Sequence, residues 1–375
     1  MEVTNDLLFQ VGLTLIKGVG DVTAKNLVAY CGSAEAIFKE KKARLLKIPG
    51  IAGKTAELIL SEITNPTLLK RAEDEVRFIE NNKITPLFYT NEAYPQRLKY
   101  CSDGPILVYF KGDANLNTAK IISVVGTRLP SAYGKQMVEE FIMELKNTGI
   151  MVVSGLAYGI DVLAHKTALE NSLDTVGVLA HGLDRVYPSV HDAIANKMLK
   201  HGGLLTDYIS GTSPDRENFP KRNRIVAGMC DALIIIESKI KGGSLITAEI
   251  ANSYSKDVFA FPGRSNDEFS SGCNGFIKRN KAALIENAAD LLFAMGWDDV
   301  VKDNSKPKTT QLPLFISLTE KEQGVVTLLK DTTGIHIDDI CHTMQLTMSE
   351  AAGLLLKLEF SNIVKSRPGK IYVLN

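Results

Sequence analysis

The feature that most constrains this chain is a regular alternation of strand and helix signals that begins at Lys120. Short apolar, β-branched runs at 121–125, 150–154, 175–179, 204–206, 232–236 and 258–261 are separated by helical patterns at 131–146, 162–170, 190–201 and 244–255. Apolar runs of this length, with helices between them, predict a doubly wound, Rossmann-like parallel sheet buried on both faces. Such a sheet binds ligands outside the carboxyl ends of its strands, so the loops that follow the strands are where function is to be sought.

Those loops hold the unusual residues. After the first strand comes Gly126-Thr127-Arg128, and after the second Ser154 and Gly155 lead to Gly159 and Asp161. After the strand that ends near Glu237 comes Lys241-Gly242-Gly243-Ser244, reaching Thr247 in a helix; a glycine pair at a helix start is an anion nest. Before that strand lies the basic run RENFPKRNR, in which Arg216, Lys221, Arg222, Asn223 and Arg224 surround Phe219. It reads as a polar cluster at the sheet rim, and the residues 225–229 that follow read as the lead into the buried strand. Guanidinium groups fork onto phosphate and an aromatic ring stacks on a base, so a single-stranded nucleic acid suits the cluster; the plainer alternative is a solvated loop paired with Asp215 and Glu217. A G-x-G-x-x-G fingerprint is missing, which argues against a dinucleotide cofactor, and no cofactor is expected.

The first 64 residues contain a repeat. Ile16-Lys-Gly-Val-Gly-Asp-Val-Thr-Ala24 aligns without gaps on Ile48-Pro-Gly-Ile-Ala-Gly-Lys-Thr-Ala56, each copy running on into a helical pattern. Glycines that turn the chain into a helix start suit phosphate, and the arrangement resembles a tandem helix-hairpin-helix (SAM-like) module that grips a DNA backbone; a packing scaffold is the alternative. Ala52 replaces the second hairpin glycine in copy two. Gly53-Lys54-Thr55 imitates a P-loop, but Ile48 stands where its first glycine belongs and no strand precedes it. Residues 65–119 read as a connecting helix charged on most faces, followed by lead-in strands that either extend the sheet or form a small subdomain.

Lys and Arg total 43, as do Asp and Glu, so no global field draws this chain to DNA or an anionic membrane and any nucleic-acid affinity must be local. Five scattered cysteines without C-x-x-C spacing fit a reducing cytoplasm and argue against disulfides or a zinc site. Membrane-length and leader-like segments are not apparent. Asp161 with His165, and His181 with Asp184, are conceivable acid/base pairs, but a helix cap at Asp161 and a packed His165 explain the first pair, and no nucleophile with an orienting partner accompanies them. The expected class is a binding protein rather than an enzyme, without a metal.

The ordered motifs VVGTRLPSAYG, SGLAYGIDVLAHKTAL, GLDRVYP, FPKRNRIVAG, GGSLITAE and VFAFPG resemble the DNA-processing protein A (Smf) family over about 121–297. The resemblance implies an extended Rossmann domain that binds single-stranded DNA, dimerises, protects incoming DNA during natural transformation and helps load a RecA-type recombinase. It implies that Arg128 contacts a phosphate, that Arg216 and Arg222 line a groove, that Phe219 meets a base, and that Ser244 and its neighbouring N–H groups hold a second phosphate. The full expected contact set is Gly126, Thr127, Arg128, Ser154, Gly155, Arg216, Phe219, Lys221, Arg222, Asn223, Gly242, Gly243, Ser244 and Thr247. Two departures stand out: the family usually has Ser-Gly-Ser at 242–244, and an asparagine where this chain has His191. The rival reading is a nucleotide-binding or nucleotide-hydrolysing enzyme on a related Rossmann-like fold, with Glu249 as its nearest acid. A duplex architectural protein that used only its terminal modules would leave the central basic cluster unexplained.

Residues 298–315 read as a linker and 316–375 as a winged-helix domain, with helices at 318–329, 337–344 and 347–359 and strands at 363–365 and 371–374. Its third helix carries Glu350, Lys357 and Glu359 instead of a basic face, which suits protein contact better than DNA reading.

Overall fold

The computed structural model describes residues 5–298, 318–330, 332, 334–361, 363–367 and 369–374; the linker expected at 298–315 lies outside them save for its first residue. Two compact units result, Met1–Glu286 and Asn287–Asn375.

The first unit opens with α1 (Asn5–Leu15), α2 (Asp21–Cys31), α3 (Ala34–Phe38), α4 (Lys42–Leu45), α5 (Gly53–Ile63) and α6 (Pro66–Asn81). The repeat becomes two turns that enter α2 and α5, with the turn glycines Gly18 and Gly50 at φ of 75° and 84°. α6 is more than a charged connector. Leu68, Ala72, Val76 and Ile79 recur at helical spacing and are buried in a cluster with Val11, Leu27, Ile37 and Ile59, so one face joins the module's core while the charges occupy the rest. Asn65 caps this helix and Pro66 fills its first turn, where a missing N–H costs no hydrogen bond.

The chain continues through β1 (Thr85–Phe88), α7 (Gln96–Lys99), β2 (Leu107–Gly112), β3 (Lys120–Gly126), α8 (Ala132–Glu144), β4 (Ile150–Ser154), α9 (Ile160–Glu170), β5 (Thr175–Val178), α10 (Asp192–Met198), β6 (Gly202–Thr206), α11 (Asn218–Met229), β7 (Ala232–Ile236), α12 (Gly243–Ser253), β8 (Asp257–Ala260), α13 (Ser271–Lys278) and β9 (Ala283–Leu284). The strands form a nine-stranded sheet in the order β1-β2-β6-β5-β4-β3-β7-β8-β9. From β6 to β9 every neighbouring pair is parallel, whereas the lead-in strands β1 and β2 extend the β6 edge antiparallel. The chain order steps outward on one side through β4, β5 and β6, then returns to place β7 on the other side of β3. The carboxyl ends of β3 and β7 therefore flank the topological switch point.

The structure corrects the reading of the basic run. Residues 225–229 do not lead into a strand: Ile225, Val226 and Met229 form the buried face of α11, packed with Leu233, Ile235, Leu245 and Ala248, and β7 begins only at Ala232. Most of RENFPKRNR is thus the first half of a helix. Pro220 misleads in the sequence, yet as the third helical residue it removes an N–H that has no intrahelical acceptor.

The second unit holds α14 (Ala288–Ala294), α15 (Glu320–Lys330), β10 (Ile335–His336), α16 (Ile337–Met344), α17 (Met348–Phe360), β11 (Val364–Arg367) and β12 (Ile371–Leu374). Its three-stranded sheet, in the order β10-β12-β11, completes a winged-helix arrangement; the two-residue β10 was too short to read in sequence. Thr347 and Glu350 form a capping box at α17. The charges of α17 are used internally: Lys357 meets Glu322 at 2.7 Å, and that bond, with those from Thr319, brings the Glu322 carboxyl down to about 2. Met348, Leu356 and Phe360 are left outward.

Candidate nucleic-acid interface

Four segments meet above the switch point around a cavity of about 460 Å³: the loops after β3, β4 and β7, and the first turns of α11. Its lining includes eleven of the residues expected from sequence, namely Gly126, Thr127, Arg128, Gly155, Phe219, Arg222, Asn223, Gly242, Gly243, Ser244 and Thr247. Three lie off it. Ser154 is buried with Oγ donating to the Val124 carbonyl at 2.6 Å, while Arg216 and Lys221 stand exposed on the outer side of the α11 start, Lys221 facing Glu217 at 3.7 Å. Lys239, Lys241 and Asp161 complete the charged lining and were not singled out as contacts.

The three loops after strands look alike in sequence but differ in electrostatics. At the start of α8, the Glu237 side chain accepts from the Ser131 N–H at 2.8 Å and from the Ser131 hydroxyl, and its carbonyl accepts from the Thr127 N–H at 2.8 Å. Thr127 Oγ1 in turn accepts from the Leu129 N–H. A buried carboxylate of the protein itself thus occupies the place an external anion would take. In the loop before α9, the Asp161 carboxylate instead accepts from the Ala157 and Gly155 N–H groups, while the Ile160 and Val162 N–H groups at the helix start donate to the Thr127 and Ala157 carbonyls. This corrects the sequence reading of Asp161 as helix cap; Gly159 holds the cap position, at a φ of 82° that suits glycine. Burial pushes the Asp161 carboxyl up while Arg222 pulls it down.

The start of α12 is different. Among the described residues no carboxylate lies on it, and the N–H groups of Gly243 and Ser244, as the first two helical residues, have no intrahelical acceptor and open on the cavity. Ser244 Oγ is held by Ser238 Oγ at 2.9 Å, which fixes the turn. Opposite stands Arg128, exposed, with its guanidinium 5.4 Å from the Phe219 ring centroid; Tyr187 backs the same ring at 6.1 Å. Arg128 can grip an anion while Phe219 offers a face to an aromatic ring.

Arg222 forms the floor. It is 4 % exposed, and its Nη1 donates to the carbonyls of Gly155 (2.6 Å) and Val178. Its Nε is buried with no acceptor among the described residues. Burial lowers the pKa of the guanidinium and Asp161 opposes the shift. His165 is fully buried against Thr175 at 2.6 Å, and burial followed by the Arg222 charge depresses it to about 3, so it is neutral at ordinary pH. Glu249, the acid of the rival reading, points elsewhere and pairs with Lys281 at 2.6 Å.

Arg224 turns away from the cavity. It meets Asp21 at 3.0 Å and Asp207 at 2.6 Å and donates to the Asp103 carbonyl, tying α11 to the first hairpin's helix. Nearby, Arg71 and Glu75 of α6 hold Ser210, in the loop before α11. Sequence reasoning missed these struts because each joins residues far apart in the chain.

Comparison with known proteins follows the same division. The family model described as DNA recombination-mediator protein A matches residues 85–296, the SAM-like helix-hairpin-helix tandem 11–65 and the DprA winged helix domain 308–370. A Protein Smf of Synechocystis is 29% identical, with 95% of this chain and 96% of that protein aligned. The X-ray structure of DNA processing protein A from Streptococcus pneumoniae superposes with a TM-score of 0.62 at 30% identity, over 76% of this chain and 97% of that one. A Helicobacter pylori structure, whose title describes the single-stranded DNA binding mode of its DNA processing protein A, gives 0.51 at 30% identity, over 56% of this chain and 94% of that one.

Proposed function

The chain belongs to the DNA recombination-mediator protein A family, and from that premise we propose that it binds single-stranded DNA in the cavity above the switch point. In this reading one phosphate lies on the N–H groups of Gly243 and Ser244, a neighbouring phosphate meets Arg128, and a base stacks on Phe219. Gly126, Thr127, Gly155, Asn223, Gly242 and Thr247 shape the walls, and Ser154 supports them from beneath. Arg216 and Lys221 add charge along the outer face of α11 to the approaching backbone.

The observation that carries the proposal is the contrast between two helix starts: that of α8 holds the protein's own Glu237 carboxylate, while that of α12 is open beside an arginine and an aromatic ring. The buried, unpartnered Nε of Arg222 adds a donor on the floor. Bases go largely unread, because the groups facing the strand are cations, backbone N–H groups and a ring face. The mechanism is electrostatic and geometric rather than catalytic. Hydrolysis of a nucleotide requires a positioned acid or base, and Asp161, the carboxylate in the cavity lining, is already engaged by two N–H groups and Arg222.

The proposal extends to the family's role. The bound strand is protected and handed to a RecA-type recombinase during DNA uptake in the cytoplasm, with the protein acting as a homodimer through its Rossmann-like core. The outward apolar residues of α17 suit a protein contact.

Fluorescence anisotropy of a labelled oligo-dT and of its duplex, at two salt concentrations, tests the site. Salt-sensitive preference for the single strand, lost in Arg128→Ala, is expected. Equal binding of duplex by an indifferent mutant would refute it.

A further inference from the structure

Beyond the cavity, the loop after β8 forms a second platform at the same edge of the sheet. Lys239, which lines the cavity, places its Nζ 4.7 Å from the ring centroid of Phe269, so a cation and an aromatic ring stand together again, as Arg128 and Phe219 do across the α12 start. Hydrogen bonds tie the platform together. The Gly263 N–H donates to Asn274 Oδ1 at 3.1 Å, Asn274 Nδ2 returns a bond to the Gly263 carbonyl at 2.9 Å, and Asp267 accepts from the Phe269 N–H and the Ser270 hydroxyl. The Gly272 N–H donates to the Ser238 carbonyl at 2.7 Å, which locks this loop to the one carrying Lys239. Arg264 is exposed on it.

Phe269 is only half-buried and belongs to no core cluster among the described residues, although seven hydrogen-bonding residues hold its loop in shape. A fixed loop that keeps an aromatic side chain in contact with solvent beside a lysine is the arrangement that accepts a nucleobase on its ring and a phosphate on its cation. Two carboxylates lie near. Asp267 is consumed by the loop, and Glu268 meets Lys239 at 3.0 Å in an exposed pair that salt screens and a phosphate can displace.

We propose that Phe269, Lys239 and Arg264 form a second nucleotide subsite, which takes a base and phosphate of the same single strand after it has crossed the start of α12. The inference rests on the single-strand reading of the cavity. It makes the site a track with two stacking stations, Phe219 and Phe269, separated by the anion nest at Gly243, and it predicts that affinity depends on strand length.

The test compares oligo-dT of about 4 nucleotides, enough for the cavity, with one of about 12, enough for both stations. Phe269→Ala should bind the longer strand about tenfold more weakly and leave the shorter within about twofold. Phe269→Leu separates stacking from packing: it should be as weak as Phe269→Ala, while Phe269→Tyr should restore binding. Phe269→Trp should add fluorescence that the longer strand quenches and the shorter does not. Lys239→Ala should reduce the salt slope for the longer strand by about 0.7. Wild-type binding of the longer strand by Phe269→Ala or Phe269→Leu, or an unquenched Phe269→Trp, overturns the second station. Failure of the wild-type protein to bind oligo-dT of either length overturns the reading of the cavity itself.

Discussion

The starts of α8 and α12 face each other across the switch point, and both follow a glycine-bearing turn after a central strand. One is closed and the other open. The difference lies in Glu237, at the end of β7, whose carboxylate folds back onto Ser131 while its main chain sits at a φ of 51°. A single acidic residue between two potential anion sites therefore closes one of them and leaves the other open. A glycine turn at the carboxyl end of a strand shows only that a nest can form; what fills it is decided by side chains from a neighbouring strand.

The strongest challenge to this contrast is Glu237→Ala. It leaves the Ser131 N–H and hydroxyl without their acceptor in a part-buried place, so chemical denaturation should show a loss of about 3 kcal/mol. The Arg128 loop should loosen too, with weaker oligo-dT binding. Next in size is Gly155→Ala. A Cβ there would lie 2.5 Å from Asp161 Oδ2 and 2.7 Å from the Arg222 guanidinium nitrogens, pushing apart the two charges beneath the cavity. A cost of about 2 kcal/mol is expected, read as a fall in Tm.

The closed side also has a pH signature. His165 takes up a proton at about 3 in the folded chain but near 6.5 when unfolded, so the unfolded state binds more protons between these values. Its contribution to stability is unchanged above about pH 6.5 and falls by up to about 1.4 kcal/mol per pH unit below it. Urea denaturation at several pH values should show a shallower acid slope for His165→Gln. The smallest effect is on the open side. A Cβ on Gly243 meets nothing within 4 Å, whereas one on Gly242 would lie 2.1 Å from Ser238 Oγ. Gly243→Ala should therefore keep stability within about 0.5 kcal/mol, and Gly242→Ala should lower both stability and oligo-dT affinity as the turn shifts.

Much of this was legible in the chain itself. The order of strands and helices and the three loops follow from periodicity and local motifs, and eleven of the fourteen residues expected at the site line the cavity. What was not legible is which charges face inward. Arg222 and Arg224 stand two residues apart in one basic run, yet one caps the Gly155 and Val178 carbonyls and the other is bound by Asp21, about 200 residues earlier. No local pattern encodes such partners. The helical nature of 218–229 was hidden by Pro220, and the buried face of α6 by the charges interleaved with it. Glu237 looked like the last residue of a strand, and its role depends on Ser131, which lies on another element.

The strut at Arg224 has a consequence for how this chain can be shortened. With α1 to α5 removed, Arg224 would lose Asp21, the Ile106 N–H would lose the same carboxylate as its acceptor, and Leu107 and Tyr109, buried in the cluster of the helical module, would meet water. The helical module is therefore not an appendage that can be exchanged freely between relatives. Any shorter version leaves Arg224 with only Asp207 and the Asp103 carbonyl and has to supply its own cover for β2.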